Sequence, residues 1–514
     1  MPTGIDATRH REDALALCRQ TLADHPLIVV SNRGPVEYQF APDNPRPQPR
    51  RRSSTVSTAL NALISSVPFS WVASAMGEGD RLISERAEGA SVRPAVPNCQ
   101  VNLRFVVTPR RAYHKFYNIF CNPLLWFLQH YMWSPPYTPN VDASVYDAWE
   151  NGYVVINQAF AESVVAEAVT LGKPPVVMFH DYHLYLAPET VRRHLPDAVL
   201  QYLLHIPWPT PHTWRLLPAV MRTAICRSLA SCDILGFQSQ LDAHNFLDCC
   251  RWFIPEARVD FAASTVTSGG RTTQVRCYPL TIDITEVQQI ANSPRALDYE
   301  RRLKAVCTEK TIVRVDRAEP NKNIVRGFRA YQLMLDRHPD LRGRVKFLAF
   351  LVPSRTHIKQ YERYLGEIDQ VVREINSALG TPEWQPIQTF YENNYVQAIA
   401  GLKLCDALLV NPVSDGMSLV AKEGPVVNAR DSVLVLSEGS PAHEQLADGA
   451  LSAGPADVEG TGEALYQAMV MPPEERKRRS EQLLTAIQRE DASHWLKMQF
   501  KDIRSLSPSH SNGE

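Results

Sequence analysis

The sequence predicts an α/β protein in which helices cover parallel sheets. Short apolar or β-branched runs alternate with longer amphipathic stretches over most of the 514 residues, and this alternation favours parallel strands joined by helices. A single sheet of that size would be unusual, because one domain commonly holds about 100–200 residues. We therefore expect two α/β halves with a cleft between them and a division near residues 277–287.

Eight runs are expected to form buried strands, because continuous apolar runs suit sheets that are covered on both faces. These runs are PLIVVSN (26–32), PPVVMFHD (174–181), AVLQYLLHIP (198–207), DILGF (233–237), TIVRVD (311–316), VKFLAFLVP (345–353), ALLVNP (407–412) and SVLVLSE (432–438). Helical periodicity is clearest at 323–338 and 358–380. The Pro-rich stretch 41–58 and the stretch 134–140 are expected to be loops.

Composition and charge exclude several classes of protein. The 54 Lys and Arg residues nearly balance the 55 Asp and Glu residues, so a net charge of −1 gives no general attraction to nucleic acid or to an anionic membrane. No apolar run approaches the ~20 residues that a membrane span needs. The ten cysteines form no CxxC pair, so no disulfide framework or zinc ribbon is indicated and a cytoplasmic location is expected. The first ~25 residues and the polar tail from Ser505 are expected to be weakly ordered.

The stretch VSDGMSLVAKE (413–423) is the most informative. It follows a predicted strand and becomes a good helix former, so the amides of residues 417–419 are expected at a helix N-terminus, which suits a diphosphate or sugar hydroxyls. Glu423 lies seven residues after Gly416, two helical turns along, so we expect it on the same face, where it could hold a ribose. The alternative is that Asp415 caps the helix and Glu423 is a surface acid.

Two further strand ends carry polar side chains. Arg317 and Lys322 follow the strand TIVRVD across a Pro-containing turn, a position that suits a phosphate-bearing ligand in an open α/β sheet. A solvated basic turn before a helix is the alternative. His205 lies at the end of another apolar strand, where a satisfied core histidine is the alternative to a functional one. The HxxH of the nearby HDYH sequence sits at a strand-to-helix turn rather than on a helix face, so no metal site is expected.

Two weaker signals come from the first half of the chain. Residues 112–133 are dense in aromatic side chains at helical spacing, which is typical of core packing. Tyr117 and Trp126 are nine residues apart on the same broad helical side and could instead wall a polar pocket. Arg33 follows the first strand, as a phosphate ligand would. The sequence has no GxSxG and no GxxxxGK[ST], which disfavours a serine triad and a P-loop nucleotidase.

Taken together and in order, seven blocks resemble the trehalose-phosphate synthase family of retaining glycosyltransferases. The blocks are SNRGP, FYNIFCNPLLW, HDYHL, LLHIPWP, VDRxxxxKN, VPSR and DGMSLVAKE, spread over roughly residues 27–440. The resemblance implies the GT-B fold, in which two Rossmann-like domains face across a cleft. The expected domains are an acceptor-binding domain at 1–282, a nucleotide-sugar-binding domain at 283–484, and a C-terminal helix with a disordered tail at 485–514 that packs back on the first domain.

The resemblance also implies a role for each matching residue. The catalytic groups would be Arg317 and Lys322, which hold the donor diphosphate, and His205, which lies beside the donor sugar. The donor-binding residues would be Asp415, Gly416, Met417, Ser418, Leu419 and Glu423. The acceptor-binding residues would be Arg33, Tyr117, Trp126, Asp181 and Arg355. The acceptor hydroxyl would attack on the face that the diphosphate leaves, without a metal or any other cofactor, so catalysis depends on stabilising leaving-group charge.

The implied reaction transfers glucose from a nucleotide-glucose to glucose 6-phosphate and gives trehalose 6-phosphate. The alternatives are a glucosylglycerol-phosphate synthase, a pseudo-glycosyltransferase that couples a nucleotide-cyclitol to an aminocyclitol phosphate, and a catalytically silent binding homologue. Departures from the family pattern keep these open: Ser54 and Thr55 stand where a Gly-Gly pair is usual, RLDYxKG has become RAEPNKN, and DGMNLVAKE has become DGMSLVAKE. The donor base and formation of a homo-oligomer are left open by the sequence.

Overall fold

The protein consists of two compact α/β units. The computed structural model describes residues 4–41, 44–52, 55–133 and 140–506. Unit 1 contains Met1–Tyr278 and Ser493–Glu514, and unit 2 contains Pro279–Ala492. The sequence places the divisions at 282/283 and 484/485, whereas the second of these positions falls inside the helix Pro473–Arg489 of unit 2.

Unit 1 is built on one nine-stranded sheet. Its strands and the separate hairpin β2–β3 are β1 (Leu27–Val30), β2 (Val36–Ala41), β3 (Asn44–Arg51), β4 (Phe69–Ser74), β5 (Val101–Val106), β6 (Val176–His180), β7 (Val199–Leu203), β8 (Ile234–Phe237), β9 (Arg258–Asp260), β10 (Thr265–Ser268) and β11 (Arg271–Cys277). The sheet order is β5-β4-β1-β6-β7-β8-β11-β10-β9. All neighbours are parallel except β10, which is antiparallel to both β11 and β9.

Unit 2 is built on a fully parallel six-stranded sheet. Its strands are β12 (Lys310–Arg317), β13 (Val345–Val352), β14 (Ile387–Phe390), β15 (Ala407–Val410), β16 (Val433–Ser437) and β17 (Leu451–Ala453), in the order β14-β13-β12-β15-β16-β17. Counted along the chain, this is the doubly wound order 3-2-1-4-5-6, and β1 with β4–β8 follow the same order in unit 1. Each sheet therefore has one switch point, between β1 and β6 in unit 1 and between β12 and β15 in unit 2, and ligands commonly bind at the carboxyl ends of strands at such points.

The helices surround these two sheets. Those of unit 1 are α1 (Gly4–Leu22), α2 (Thr55–Ala59), α3 (Asn61–Ser66), α4 (Glu78–Arg86), α5 (Arg110–His114), α6 (Trp126–Gln129), α7 (Ala143–Ala148), α8 (Val155–Leu171), α9 (Ala187–His194), α10 (Pro211–Trp214), α11 (Ala219–Leu229) and α12 (Gln240–Phe253). Those of unit 2 are α13 (Ile284–Ala291), α14 (Pro294–Lys304), α15 (Ile324–Arg337), α16 (Lys359–Leu379), α17 (Tyr395–Leu404), α18 (Val420–Val427), α19 (Ala442–Leu446), α20 (Val458–Val470) and α21 (Pro473–Arg489). The last helix, α22 (Ala492–Leu506), packs in unit 1, where Trp495 Nε1 donates to the carbonyl of Tyr278 at 3.2 Å.

All eight predicted strands and both predicted helices are confirmed, but two segments were predicted wrongly. Residues 4–22 form a helix that buries Ala14, Leu15 and Cys18, so most of the N-terminal segment is ordered. The Pro-rich stretch forms strand β3 of a hairpin rather than a loop. Its prolines occupy alternate positions 45, 47 and 49, and Pro49 lies opposite Tyr38, whose N–H donates to Asp80 Oδ1 instead of to the ladder. Residues 134–139 and 507–514 lie outside the described residues.

One helical stretch, Ala143–Leu171, is long and apolar enough to cross a membrane by length and composition alone. Its C-terminal part, α8, contacts strands β1, β4 and β5 of unit 1. Phe160, Ala161 and Val164 of α8 are fully buried. This packing is typical of a core helix in an α/β sheet, for which an apolar sequence is expected.

Candidate active site

Unit 2 gathers charged side chains where β12, β13 and β15 end. The loop after β12 turns at Pro320, which begins a short 3₁₀ helix, and enters α15 at Asn323. Asn323 has a φ of 59°, a left-handed conformation that favours Gly or Asn. Its side-chain amide donates to the carbonyls of Asn411 and Pro455 at 2.9 and 2.6 Å, so it fastens this loop to the loop after β15. The Asn that replaces the family glycine therefore keeps the turn and adds two hydrogen bonds.

Arg317 and Arg355 meet at one buried carboxylate. Arg317 Nη1 lies 3.1 Å from Glu319 Oε1 as an ion pair, and the same oxygen accepts from Arg355 Nη1 at 2.9 Å and from Ser354 Oγ at 2.8 Å. The side chain of Glu319 is fully buried, while that of Arg317 is 54% exposed. Burial raises the pKa of Glu319, but the neighbouring arginines outweigh this effect, so the pKa lies below its usual value. The carboxylate is therefore ionised and holds two cations side by side.

Lys322, in the loop after β12, contacts Asp415, in the loop after β15. Its Nζ donates to Asp415 Oδ2. Asn321 Nδ2 donates to Asp415 Oδ1 at 3.2 Å, and Ser418 Oγ donates to Oδ2 at 2.5 Å. The structure thus brings together Lys322, Asp415 and Ser418, which the sequence predicts for one site.

The segment 416–419 precedes α18 and is not helical. The helix begins at Val420, so Glu423 lies in its first turn, and the prediction that two helical turns separate Gly416 from Glu423 was wrong. The first amide here that donates to a backbone carbonyl is that of Ala421, which bonds Ser418 O at 2.9 Å. The preceding amides of Met417, Ser418 and Leu419 stand at the positive end of α18, where an anion is stabilised.

Glu423 lies next to Tyr395, in the segment 390–396. Tyr395 begins α17, and its hydroxyl donates to Glu423 Oε1 at 2.9 Å. Burial raises the pKa of Glu423 to about 7, and the hydrogen bond from Tyr395 only partly offsets this effect. The carboxyl group of Glu423 therefore changes charge near neutral pH.

Unit 1 gathers a second set of polar groups where β1 and β6 end. The guanidinium of Arg33 donates to the hydroxyl of Tyr117 at 3.1 Å. The ring of Tyr117 stacks on Tyr113 and on His183, with centroid distances of 5.8 and 6.0 Å. Asp181 follows β6 with a φ of 72°, and its Oδ2 lies 3.5 Å from His183 Nδ1. The structure therefore places Arg33, Tyr117 and Asp181 around one aromatic stack.

Trp126 is placed differently from Tyr117. Residues Lys115–Leu125 form a π-helix that contains Pro123, so the α-helical spacing used to pair Tyr117 with Trp126 does not apply. Trp126 is 2% exposed and stacks on His130 at a centroid distance of 4.1 Å. Its role in an acceptor pocket stays a prediction, and in this structure Trp126 packs in the core.

His205 pairs with His180, the last residue of β6. His180 Nδ1 lies 3.0 Å from His205 Nε2, and the two rings are stacked at 12°. Burial lowers the pKa of His205 to about 4. Burial also lowers the pKa of His180 well below its usual value, and the neighbouring His205 lowers it further. Both imidazoles are therefore neutral at physiological pH, and one donates to the other.

Two other expectations concern metal binding and the position of the family Gly-Gly pair. Within the described ranges, no group of three or more His, Cys, Asp or Glu side chains is arranged to hold a metal ion. Ser54, the first residue at the position of the family Gly-Gly pair, lies outside the described residues, and Thr55 begins α2. We call Arg317, Glu319, Lys322, Arg355, Asp415, Tyr395 and Glu423, with the amides of 417–419, the unit 2 site. We call Arg33, Tyr117, Asp181, His180, His183 and His205 the unit 1 site.

Residues 25–505 match the sequence model of glycosyltransferase family 20. The chain belongs to glycosyltransferase family 20. This match confirms the family that the seven sequence blocks indicate, and it extends beyond them at both ends. Each of the two sites lies on one of the two doubly wound sheets, and two such sheets are the framework of the GT-B fold.

Relatives of this family 20 chain include two synthases. The chain is 29% identical to the UDP-forming α,α-trehalose-phosphate synthase A of Dictyostelium discoideum, over 91% of this chain and 61% of that protein. It is 31% identical to the bifunctional trehalose-6-phosphate synthase/phosphatase of Thermoproteus tenax, over 91% of this chain and 62% of that protein. The chain thus spans about three fifths of the length of these relatives.

Among solved structures, the chain resembles a UDP-forming α,α-trehalose-phosphate synthase from Burkholderia vietnamiensis. The two have a TM-score of 0.78 and 25% sequence identity, and the similarity covers 95% of this chain and all of that one. The predicted GT-B fold class is thereby confirmed.

Glu319 is a residue of the unit 2 site that the sequence analysis did not assign to it. It stands between Arg317 and Lys322 in the same loop, and an acid between two cations indicates an ion-pair partner. Tyr395 lies in the segment FYENNYV (390–396), which the sequence indicates only as a candidate lining of the pocket for the nucleotide base.

Proposed function

We propose that this chain is a retaining glycosyltransferase that transfers glucose from UDP-glucose to glucose 6-phosphate, giving trehalose 6-phosphate and UDP. One observation carries the proposal: in a family 20 chain, Lys322 and Asp415 are in contact where β12 and β15 end, at the switch point of a doubly wound sheet. Cations and helix-terminal amides recognise a diphosphate, and carboxylates recognise sugar hydroxyls. The similar synthases of Dictyostelium discoideum and Burkholderia vietnamiensis are UDP-forming, which supports uracil as the donor base.

The unit 2 site would bind the donor. Arg317, with its exposed guanidinium, and Lys322 would contact the diphosphate, together with the amides of residues 417–419. Glu423 would accept hydrogen bonds from the ribose hydroxyls, and Asp415 from the donor sugar. As the sugar–oxygen bond breaks, negative charge grows on the leaving diphosphate, and these fixed positive groups stabilise it more than they stabilise the ground state.

The unit 1 site would bind the acceptor and the reacting sugar. Arg33 would contact the acceptor phosphate, while Tyr117 and Asp181 would contact its hydroxyls. His205 would reach the donor sugar as a neutral hydrogen-bonding group, since burial keeps it uncharged. A diphosphate oxygen of the donor would accept the proton of the attacking hydroxyl, so no protein base is required. No metal or other cofactor enters this scheme, and a cytoplasmic location remains a prediction.

The test is an assay of UDP-, GDP- and ADP-glucose with glucose 6-phosphate and with glycerol 3-phosphate. Nucleotide release is followed, and the anomeric configuration of the product is determined. We expect the fastest turnover with UDP-glucose and glucose 6-phosphate and an α,α-linked product. Turnover only with glycerol 3-phosphate or only with a nucleotide-cyclitol would replace the acceptor or donor named here. Saturable UDP-glucose binding without turnover on any acceptor would indicate a silent homologue.

A further inference from the structure

Glu319 is the carboxylate of the unit 2 site that contacts two arginines. Its carboxylate is fully buried, and one oxygen, Oε1, accepts from Arg355 and Ser354 at 2.9 and 2.8 Å and pairs with Arg317 Nη1 at 3.1 Å. The other oxygen, Oε2, has no hydrogen-bond partner within the described part of the chain. The carboxylate is thus turned so that a single oxygen holds both guanidinium groups.

The negative charge of Glu319 offsets the repulsion between Arg317 and Arg355. Two arginine cations that contact the same atom repel each other, and only a charge between them keeps them together in a partly buried place. Arg355 is 12% exposed at its side chain, has a φ of 47°, and also donates to the hydroxyl of Tyr361 at 3.0 Å. Arg317 has no such support among its described contacts and is half exposed. Its guanidinium position therefore depends chiefly on Glu319.

We propose that Glu319 is a positioning residue that sets Arg317 and Arg355 as one pair of phosphate-binding groups, one for the donor and one for the acceptor. The inference rests on the proposed function, in which Arg317 contacts the donor diphosphate, and on the acceptor-binding role that the family resemblance implies for Arg355. Glu319 itself touches neither substrate. A single change at Glu319 is therefore expected to weaken the binding of both substrates.

The test uses the full-length protein and isothermal titration calorimetry. Glu319→Gln keeps the size of the side chain and removes its negative charge, so it no longer offsets the repulsion between the two guanidiniums. We expect the dissociation constants of UDP, and of glucose 6-phosphate with saturating UDP, each to rise about tenfold or more, the scale for a lost hydrogen bond to a charged group. Glu309→Gln is the matched control, because Glu309 forms an exposed ion pair with Arg344 in the same unit. It should leave both constants unchanged.

A double-mutant cycle separates positioning from general loss of structure. If Glu319 acts through Arg317, the Arg317→Ala/Glu319→Gln double variant binds UDP no more weakly than Arg317→Ala alone. If Glu319→Gln does not fold, as judged by its Tm, Glu319→Ala replaces it, with the same direction expected. Wild-type UDP affinity in a folded Glu319 variant, a change confined to one substrate, or additive losses in the cycle would each overturn the proposal.

The same experiment distinguishes failure of the proposed function. Wild-type protein that binds UDP and glucose 6-phosphate without turnover of UDP-glucose would refute the proposed function, while the binding data would still decide the role of Glu319. Wild-type protein that binds neither compound would overturn both proposals.

Discussion

The hydroxyl of Tyr395 donates a hydrogen bond to Glu423 Oε1 at 2.9 Å and joins α17 to α18 at the unit 2 site. Because burial raises the pKa of Glu423 to about 7, its ionised form, which accepts best from ribose hydroxyls, predominates only above neutral pH. We expect the affinity for UDP to rise roughly tenfold between pH 6 and pH 8. Calorimetric titrations at a series of pH values measure this change.

Glu423→Gln should remove most of this pH dependence, whereas Glu463→Gln, at an exposed position of α20, should keep it. The same shift predicts a stability effect of opposite direction in the ligand-free protein. The folded state retains the proton that the unfolded chain loses, so the contribution of Glu423 to the free energy of unfolding falls as pH rises from about 4.5 to about 7. A pH-independent difference between wild type and Glu423→Gln would contradict both expectations.

Arg317→Ala is expected to lower kcat by about 100-fold or more, the scale for losing one stabiliser of developing charge. The Tm is measured in parallel, because the fully buried Glu319 loses one of its two cationic partners. Steady-state kinetics with UDP-glucose and glucose 6-phosphate measure the effect. Arg344→Ala removes an equally exposed arginine that pairs only with Glu309 among its described ion-pair partners, and its kcat should match the wild type. Near-normal turnover of Arg317→Ala would remove this residue from the mechanism.

Tyr117→Phe tests the unit 1 site. The change removes the hydroxyl that accepts from Arg33 at 3.1 Å and keeps the stack with Tyr113 and His183. We expect KM for glucose 6-phosphate to rise about threefold to tenfold, the range for one hydrogen bond, with UDP affinity unchanged. Tyr146→Phe changes an exposed tyrosine of α7 and serves as the control. A loss of UDP affinity in Tyr117→Phe would argue against an acceptor role.

The His180–His205 pair makes folding sensitive to acid. Since burial lowers both pKa values, the unfolded chain takes up protons at these residues before the folded state does. The free energy of unfolding should therefore fall as pH falls from 6.5 towards 4. Urea unfolding at several pH values measures the slope, which His205→Asn should reduce and His114→Asn, at an exposed position of α5, should not. Equal slopes in wild type and His205→Asn would show that this pair is not neutral in the folded state.

The sequence predicted which strand ends carry the two sites better than it predicted which side chains meet there. Parallel strands end at one edge of a sheet, so polar residues after TIVRVD and ALLVNP could be expected to meet, and Lys322 does contact Asp415. The meeting of Arg317 with Arg355 could not be expected, because it depends on how the loops after β12 and β13 place one buried acid. The π-helix at 115–125 was missed because its wider turns leave no separate mark in an apolar sequence.

Asn323 offers a test of how this chain compensates for a missing family glycine. Its φ of 59° suits Gly, but its side chain also donates two hydrogen bonds, to Asn411 O and Pro455 O. Asn323→Gly keeps the turn and loses these bonds, so the free energy of unfolding should fall by about 1–3 kcal/mol. Asn323→Ala loses the bonds and also strains the left-handed turn, so its free energy of unfolding should fall by about 1 kcal/mol more.

Urea denaturation measures these differences, with Glu88→Gly as the control. Glu88 also has a positive φ, 51°, but its side chain is exposed, so glycine there relieves the backbone without removing a buried contact. We expect the stability of Glu88→Gly to equal or exceed that of the wild type. If Asn323→Gly were as stable as the wild type, the amide bonds would contribute nothing, and the asparagine would serve only as a substitute for glycine in the left-handed turn.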